Sequence, residues 1–185
     1  QLVGQKILEH LELPFKETPN WNAWHNAVDR IRTPKNRATI AIVGKYLDIG
    51  SHNLTDSYVS ICHALIHAGA ELDTAIDIKW IDAKCYETDP QAVKQLDQYD
   101  GLIIPGGFGT SGVEGKIRAI AYARTHNIPY LGLCYGMQLA VVEFARSVAG
   151  LHNAHSTEVD QTTPHPVIDL LPLQKQNLNE QLYGG

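Results

Sequence analysis

The strongest constraint on the fold of this chain is an alternation between short apolar runs and longer amphipathic segments. The apolar runs predict four β-strands, at residues 39–43, 75–81, 102–104 and 130–133. Each is followed by a segment whose apolar residues recur at helical spacing, which is the pattern of repeated strand-helix-strand units. Strands that are apolar on both faces are typical of parallel sheets covered by helices. The sequence therefore predicts an α/β fold, a doubly wound and mostly parallel sheet flanked by helices with right-handed crossovers.

The helices between these strands are predicted from apolar spacing and capping residues. Three of them cover residues 56–69, 112–126 and 135–148. The residues of the first that are predicted to face the core are Val59, Cys62, Leu65 and Ile66. Asp89 is the predicted N-cap of a further helix that begins at Pro90. The helix at 135–148 is apolar on nearly all sides, which predicts that it is buried, and a last short strand is predicted at residues 167–171.

Two more helices are predicted before the first strand, over residues 2–13 and 21–32. We expect residues 1–37 to be a helical linker and residues 38–185 to form the main domain. The chain begins with Gln instead of Met and stops at Gly185 without a tail, so we expect it to be a fragment whose main domain is incomplete at the C-terminus.

Composition argues against several classes of function. A chain of 185 residues with 44% hydrophobic and 19% charged residues is typical of a folded domain. A net charge of −5 without a basic stripe argues against a nucleic-acid partner. The sequence has neither an apolar run near the roughly 18 residues of a membrane span nor a signal peptide, so we expect a cytoplasmic protein with no membrane partner. Three widely spaced cysteines indicate neither a disulfide framework nor a metal site.

Two turns after predicted strands carry the candidate chemistry, because ligands of an open parallel sheet gather at the carboxyl ends of its strands. The first is the glycine turn, residues 105–109 with the sequence PGGFG, whose backbone N–H groups can point at an anion. It lacks the G-K-[ST] ending of a phosphate-binding loop. The second is the elbow, residues 132–136 with the sequence GLCYG, a cysteine counterpart of the serine nucleophile elbow.

Cys134, at the centre of the elbow, is the candidate nucleophile. A strand that turns sharply into a helix leaves its central residue strained and exposed, and glycines on both sides avoid collisions. The positive end of the following helix favours the thiolate. The backbone N–H groups of Tyr135 and Gly107 are candidates for an oxyanion hole, so the two turns together predict acyl transfer through a thioester. Cys62 and Cys85 are interpreted as packing residues.

Further segments of the chain resemble the class I glutamine amidotransferases. Beyond the two turns, the matching segments are residues 43–46, 112–117, 136–146, 156–158 and 166–172. The resemblance extends from Trp21 to the end of the chain and implies a flavodoxin-like fold. It also implies hydrolysis of glutamine to glutamate and ammonia by a Cys-His-Glu triad.

The resemblance implies a role for each matching residue of the site. Cys134 would be the nucleophile, and Gly107 and Tyr135 would donate N–H groups to the oxyanion. The residues that would contact L-glutamine are Gly107, Phe108, Tyr135, Gly136, Met137, Gln138 and Glu158. Glu158 suits this role, since a carboxylate is the natural partner of the substrate ammonium group. The resemblance implies no metal in this segment.

One part of the family pattern does not match. The catalytic His and Glu of the family lie in a His-Pro-Glu segment that would come after Gly185. The segment His165-Pro166-Val167 comes too early and lacks the Glu. Of the expected triad, only the cysteine is therefore predicted within these residues, with His155 and His165 as the first candidates if a base lies inside the chain.

The matches are closest to family members in which the ammonia passes to a synthase domain that aminates UTP. Such a domain would precede this segment and would bind UTP, ATP and magnesium, while this segment would need no cofactor. The complete protein would be a homo-oligomer. Two alternatives stay open, a stand-alone cysteine hydrolase of the related flavodoxin-like superfamily and a non-catalytic interaction module. A His-Pro-Glu segment downstream would support catalysis, and its absence would support a binding role.

Overall fold

The computed structural model describes residues 3–14, 20–44, 58–172 and 174. In these residues four parallel strands form a sheet in the order β2, β1, β3, β4. The strands are β1 (Asn36–Gly44), β2 (Thr74–Asp82), β3 (Gly101–Ile104) and β4 (Tyr130–Gly132). All four predicted strands are present and every pairing between them is parallel, which confirms the predicted class of fold. The order also matches the first four strands of the flavodoxin-like arrangement.

Helices precede the sheet and connect its strands. In chain order they are α1 (Val3–His10), α2 (Asn22–Arg32), α3 (Val59–Glu71), α4 (Cys85–Thr88), a 3-10 helix (Pro90–Gln98), α5 (Val113–Thr125) and α6 (Tyr135–Ser147). The Asp89 carboxylate accepts a hydrogen bond from the backbone N–H of Gln91 at 2.9 Å, which confirms the predicted N-cap. The segment it caps is a 3-10 helix, whereas the predicted start of α3 at Asp56 lies outside the described residues.

The core lies between the two middle strands and helices α5 and α6. Ile42 and Val43 of β1 and Ile104 of β3 are fully buried. Two glycines allow the helices to approach closely. A Cβ at Gly115 of α5 would overlap the Ala83 carbonyl group, and a Cβ at Gly136 of α6 would overlap the Ile104 carbonyl group. Gly136 therefore allows the start of α6 to pack directly against β3.

Helix α6 is not buried all round, which corrects the prediction. Leu139 and Val142 are fully buried, whereas Met137, Val141 and Phe144 are exposed, Phe144 to 52%. The helix contacts α5, β3, β4, β5 and β6, and its remaining side is open to solvent in the described part of the chain. Apolar residues around a whole helix indicate burial only where another element covers each side.

Helix α3 also differs from its prediction. Val59 and Ile66 are exposed, while Cys62 and Leu65 are half-buried. The buried residues of this helix are Gly69 and Ala70, at its C-terminal end. A Cβ at Gly69 would overlap the Thr74 carbonyl group, so the absence of a side chain there allows the last turn to contact the start of β2. The apolar residues of its earlier turns are therefore less enclosed than their spacing predicts.

A second, two-stranded sheet lies after α6. It pairs β5 (His155–Ser156) with β6 (Pro166–Ile168) in parallel. The strand predicted at residues 167–171 is therefore present but shorter, and it begins one residue earlier. Strand β5 has only two residues, too few for an apolar periodicity to predict it. Among the described residues, no helix has the length and apolar character needed to cross a membrane.

Candidate active site

The elbow has the geometry that its glycines predict. Strand β4 ends at Gly132, helix α6 begins at Tyr135, and Cys134 between them has φ of +51° and ψ of −105°. This positive φ is strained for any residue with a side chain. A Cβ at Gly132 would lie 2.7 Å from the backbone N of Met137. Because Cys134 is exposed at this turn, its thiol is accessible to a substrate.

The glycine turn lies next to the elbow because β3 and β4 are neighbours in the sheet. A Cβ built on Gly106 would be 3.6 Å from the Cβ of Cys134. Gly106 and Gly107 are half-buried, whereas Phe108 is 70% exposed. The structure thus brings Cys134, the predicted nucleophile, next to the predicted oxyanion turn. Gly107 of that turn lies 27 positions before Cys134 in the sequence.

Glu158 reaches the same turn from the segment after β5. Its Oε1 accepts a hydrogen bond from the backbone N–H of Gly109 at 2.8 Å. The Tyr135 hydroxyl donates a hydrogen bond to the carbonyl oxygen of Gly109 at 3.0 Å. Glu158 and Tyr135, both predicted site residues, therefore bind the N–H and the carbonyl oxygen of Gly109, whose φ is +76°.

A cavity of about 560 Å³ lies beside Glu158 and is lined by one residue of α6 and by residues from β5 onward. Its lining includes Gln138 and Glu158 together with Ser156, Thr157 and Gln161. Met137, also a predicted substrate contact, is half-exposed, and Gly136 is buried against β3. Gln138 and Glu158 thus line the same cavity.

Two tyrosines, the half-buried Tyr130 and the buried Tyr135, donate hydrogen bonds to the elbow and to the glycine turn. The Tyr130 hydroxyl donates to the Gly136 carbonyl oxygen at 2.8 Å, and burial raises the pKa of this hydroxyl well above its usual range. Burial, followed by the charge of Glu158, raises the pKa of Tyr135 to about 12. Both phenols therefore remain protonated donors at neutral pH.

His155, a candidate base, has both ring nitrogens occupied by other partners. Its Nδ1 accepts a hydrogen bond from the backbone N–H of Ser156 at 2.9 Å, and its Nε2 lies 3.6 Å from Glu114 Oε1. The ring is buried, and burial together with the nearby Arg146 charge lowers the pKa of His155. It is therefore a neutral structural group. His165 is half-buried, and its carbonyl oxygen accepts the backbone N–H of His155 at 3.1 Å.

The lowered pKa of His155 predicts a pH dependence of folding. Because the unfolded residue has the higher pKa, near 6.5, acidification protonates the unfolded state first. The stability due to the neutral ring is present above that pH and is lost as the pH falls. We expect the thermal midpoint of the wild type to fall more between about pH 7.5 and about pH 5.5 than that of His155→Gln. Equal falls, measured by scanning fluorimetry, would contradict this assignment.

Lys116 is a site neighbour that the sequence did not predict. Its side chain is fully buried within α5, and its Nζ lies 5.5 Å from the centre of the Tyr135 ring. A Cβ at Gly107 would lie 3.7 Å from the same nitrogen. No signal in the sequence indicates this position, because a lysine is rarely fully buried and would ordinarily be placed on the solvent side of the helix.

The other cysteines do not share the environment of Cys134. Cys62 and Cys85 are both half-buried, which agrees with their predicted packing role. Burial, with the charge of Asp82, raises the pKa of the Cys85 thiol, so this group is a poor nucleophile. No group of three or more His, Cys, Asp or Glu side chains suited to a metal occurs in the part of the chain that the structure describes.

The cysteine elbow and the glycine turn beside it are the features on which the family resemblance rests. The chain belongs to this family, the class I glutamine amidotransferases, whose family model, Glutamine amidotransferase class-I, matches residues 53–180. The predicted family is therefore confirmed.

Within the family, the chain is similar to CTP synthases. It is 49% identical over 180 residues to the CTP synthase of Methanocaldococcus jannaschii, covering 94% of this chain and 32% of the relative. It is 51% identical over 178 residues to that of Carboxydothermus hydrogenoformans, covering 96% of this chain and 32% of the relative. The chain thus spans about a third of the length of these relatives.

A solved structure is similar as well. The glutaminase domain of Trypanosoma brucei CTPS with bound acivicin has a TM-score of 0.67 and 38% sequence identity to this chain. The match covers 74% of this chain and 51% of that chain. The similarity in fold therefore agrees with the similarity in sequence.

Proposed function

We propose that this chain is the glutaminase part of a CTP synthase. It hydrolyses L-glutamine to glutamate, and the ammonia released is used for the ATP-dependent amination of UTP to CTP. Family membership and the similarity to CTP synthases support this proposal. The observation that carries it is the exposed Cys134 at a positive φ beside the glycine turn.

The chemistry follows from the two turns. The Cys134 thiolate attacks the carboxamide carbon of glutamine, and the carbonyl oxygen becomes an oxyanion. Backbone N–H groups of Gly107 and Tyr135 donate to that oxygen. The carbon–nitrogen bond then breaks, the leaving nitrogen takes a proton and departs as ammonia, and a thioester remains. Water attacks the thioester, which releases glutamate and restores the thiol.

The amino-acid end of glutamine would bind in the cavity that Gln138 and Glu158 line. A carboxylate has two oxygens, and Oε1 of Glu158 already accepts the Gly109 N–H, which leaves Oε2 for the substrate ammonium group. Phe108, Gly136 and Met137 would complete the pocket around the side chain of glutamine. The exposure of Phe108 agrees with a side chain that contacts a ligand.

The general base of the reaction would come from residues outside this sequence. The hydrogen bond of His155 to Ser156 and its position beside Glu114 argue against its acting as the base. His165 contributes its backbone to the second sheet. A histidine positioned by a glutamate, as the family resemblance implies, would then complete the triad with Cys134.

The rest of the protein would supply the synthetase chemistry. We propose that the segment before β1 is a helical linker from a synthase domain that binds UTP, ATP and magnesium. The amidotransferase domain then begins with β1 at Asn36, two residues before the expected boundary at residue 38. This segment itself would need no cofactor. The complete protein would act in the cytoplasm as a homo-oligomer, without a nucleic-acid or membrane partner.

Selective alkylation of Cys134 tests this function. Incubation of the full-length protein with acivicin should modify Cys134 and leave Cys62 and Cys85 unmodified, because Cys134 alone among these three is exposed. Mass spectrometry of the digested protein locates the label. An excess of L-glutamine should slow the modification, since substrate and reagent would occupy one site.

The same experiment distinguishes the alternatives. Labelling mainly at Cys62 or Cys85 would contradict the assignment of the nucleophile. Labelling of Cys134 that glutamine does not slow would favour a cysteine hydrolase with another substrate. Protection by glutamine without its hydrolysis would favour a non-catalytic binding module.

A further inference from the structure

The peptide groups around Gly109 are held from both sides. The Gly109 N–H donates to Glu158 Oε1 at 2.8 Å, and its carbonyl oxygen accepts from the Tyr135 hydroxyl at 3.0 Å. Gly109 has a φ of +76°, a conformation that glycine adopts without steric cost. Because such a residue has wide conformational freedom, hydrogen bonds on both sides are what restrict it to one orientation.

The Tyr135 side chain is held rigidly by its surroundings, so it can fix the position of the Gly109 carbonyl group. It lies in the first turn of α6 and is only 2% exposed. Its ring is 5.5 Å from the Nζ of Lys116, which is itself fully buried in α5. A ring enclosed between two core helices cannot easily change rotamer, so the position of its hydroxyl is defined by packing.

We infer that the hydroxyl of Tyr135 is a positioning group for Glu158, acting through the backbone of Gly109. Glu158 is exposed and comes from the segment after β5, and its carboxylate accepts the Gly109 N–H. The hydroxyl orients Gly109, and the N–H of Gly109 orients the carboxylate. This side-chain role is separate from that of the Tyr135 backbone N–H at the oxyanion. It rests on the proposed glutaminase function, in which Glu158 binds the substrate ammonium group.

The role predicts an effect on substrate binding more than on the chemical step. Glu158 would contact the ammonium group equally in the ground state and in the transition state, so a misoriented carboxylate raises KM and leaves kcat nearly unchanged. The loss of one neutral hydrogen bond corresponds to a rise in KM of about 3- to 10-fold. A purely structural role would instead lower the amount of folded enzyme without changing KM.

A double-mutant cycle in the full-length protein tests the inference. Tyr135→Phe, Glu158→Gln and the double variant are compared with the wild type for kcat and KM in glutamine hydrolysis. We expect Tyr135→Phe to raise KM by about 3- to 10-fold in the wild-type background and by less than about 2-fold in the Glu158→Gln background. Tyr135→Leu, which also keeps the backbone N–H, serves as a second variant with the same expected coupling.

Tyr122→Phe is the matched control. It also removes a hydroxyl that donates to a neighbouring group, here Asp97 at 2.7 Å, but it lies outside the site. We expect its KM to equal that of the wild type. If the effects of Tyr135→Phe and Glu158→Gln on KM were additive, or if Tyr135→Phe left KM unchanged, the inference would be overturned. The proposed function would be unaffected by either result. A wild-type protein that does not hydrolyse glutamine would overturn the proposed function and this role with it.

Discussion

Replacing Cys134 with alanine in the full-length protein should abolish glutamine-dependent formation of CTP and leave ammonia-dependent formation intact. In the proposed function only the hydrolysis of glutamine needs the thiol, since free ammonia would replace the product of that step. Removal of a nucleophile that forms a covalent intermediate lowers kcat by roughly 10⁴- to 10⁶-fold in well-studied hydrolases. The measurement is the rate of CTP formation from UTP and ATP with either nitrogen source.

Cys62→Ala is the control for this experiment. Cys62 is a half-buried cysteine of α3 without a role in the proposed chemistry, so both nitrogen sources should support CTP formation in that variant. If Cys134→Ala lost both activities equally, the residue would be structural or the proposed function would be wrong. If it kept glutamine-dependent activity, the nucleophile would have to be another group.

The elbow could be predicted from the sequence because its determinants are local. Gly132 and Gly136 lie two positions before and after Cys134. A Cβ at Gly132 would collide with the backbone of the same turn, so the need for glycine there is local. The structure adds one cause that the sequence does not show. Gly136 is required by the Ile104 carbonyl group of β3, as well as by the turn itself.

The contacts that complete the candidate site are long-range, and no local pattern predicts them. The bond between Glu158 and Gly109 joins residues 49 positions apart, and its presence depends on the path of the chain after α6. The family resemblance implied Glu158 as a substrate contact, but not its bond to the glycine turn. Likewise, the apolar sequence of α6 predicted burial, whereas Phe144 is exposed because no described element packs on that face.

The position of Lys116 shows a different limit of sequence analysis. Its neighbours Gly115 and Ile117 are buried, and a charged residue between them would ordinarily be assigned to the solvent side of α5. Only the structure shows that its side chain extends beside Tyr135 and close to Gly107. A buried charge of this kind depends on the three-dimensional environment, which periodicity does not report.

Gly136→Ala is expected to destabilise the domain and inactivate the site together. A Cβ at this position would overlap the carbonyl group of Ile104, which belongs to a fully buried strand and cannot move aside as a flexible side chain would. Overpacking of a well-packed interior destabilises by about 3 kcal/mol, which corresponds to a fall in the thermal midpoint of roughly 6–12 °C for a domain of this size.

The effect on activity follows from the same displacement. To relieve the overlap, α6 must move away from β3, and it carries the Tyr135 N–H and the Cys134 backbone with it. A shift of about 1 Å between reacting groups lowers the rate by roughly 10²-fold, so glutamine hydrolysis should fall by at least that factor even in the folded fraction.

Gly4→Ala is the matched control, because a Cβ at this position of α1 would have no described atom within 4 Å. It should leave hydrolysis unchanged and, as alanine favours helix, should not lower the thermal midpoint. If Gly136→Ala and Gly4→Ala had the same thermal midpoint and the same kcat, close contact between α6 and β3 would not be what holds Cys134 in place.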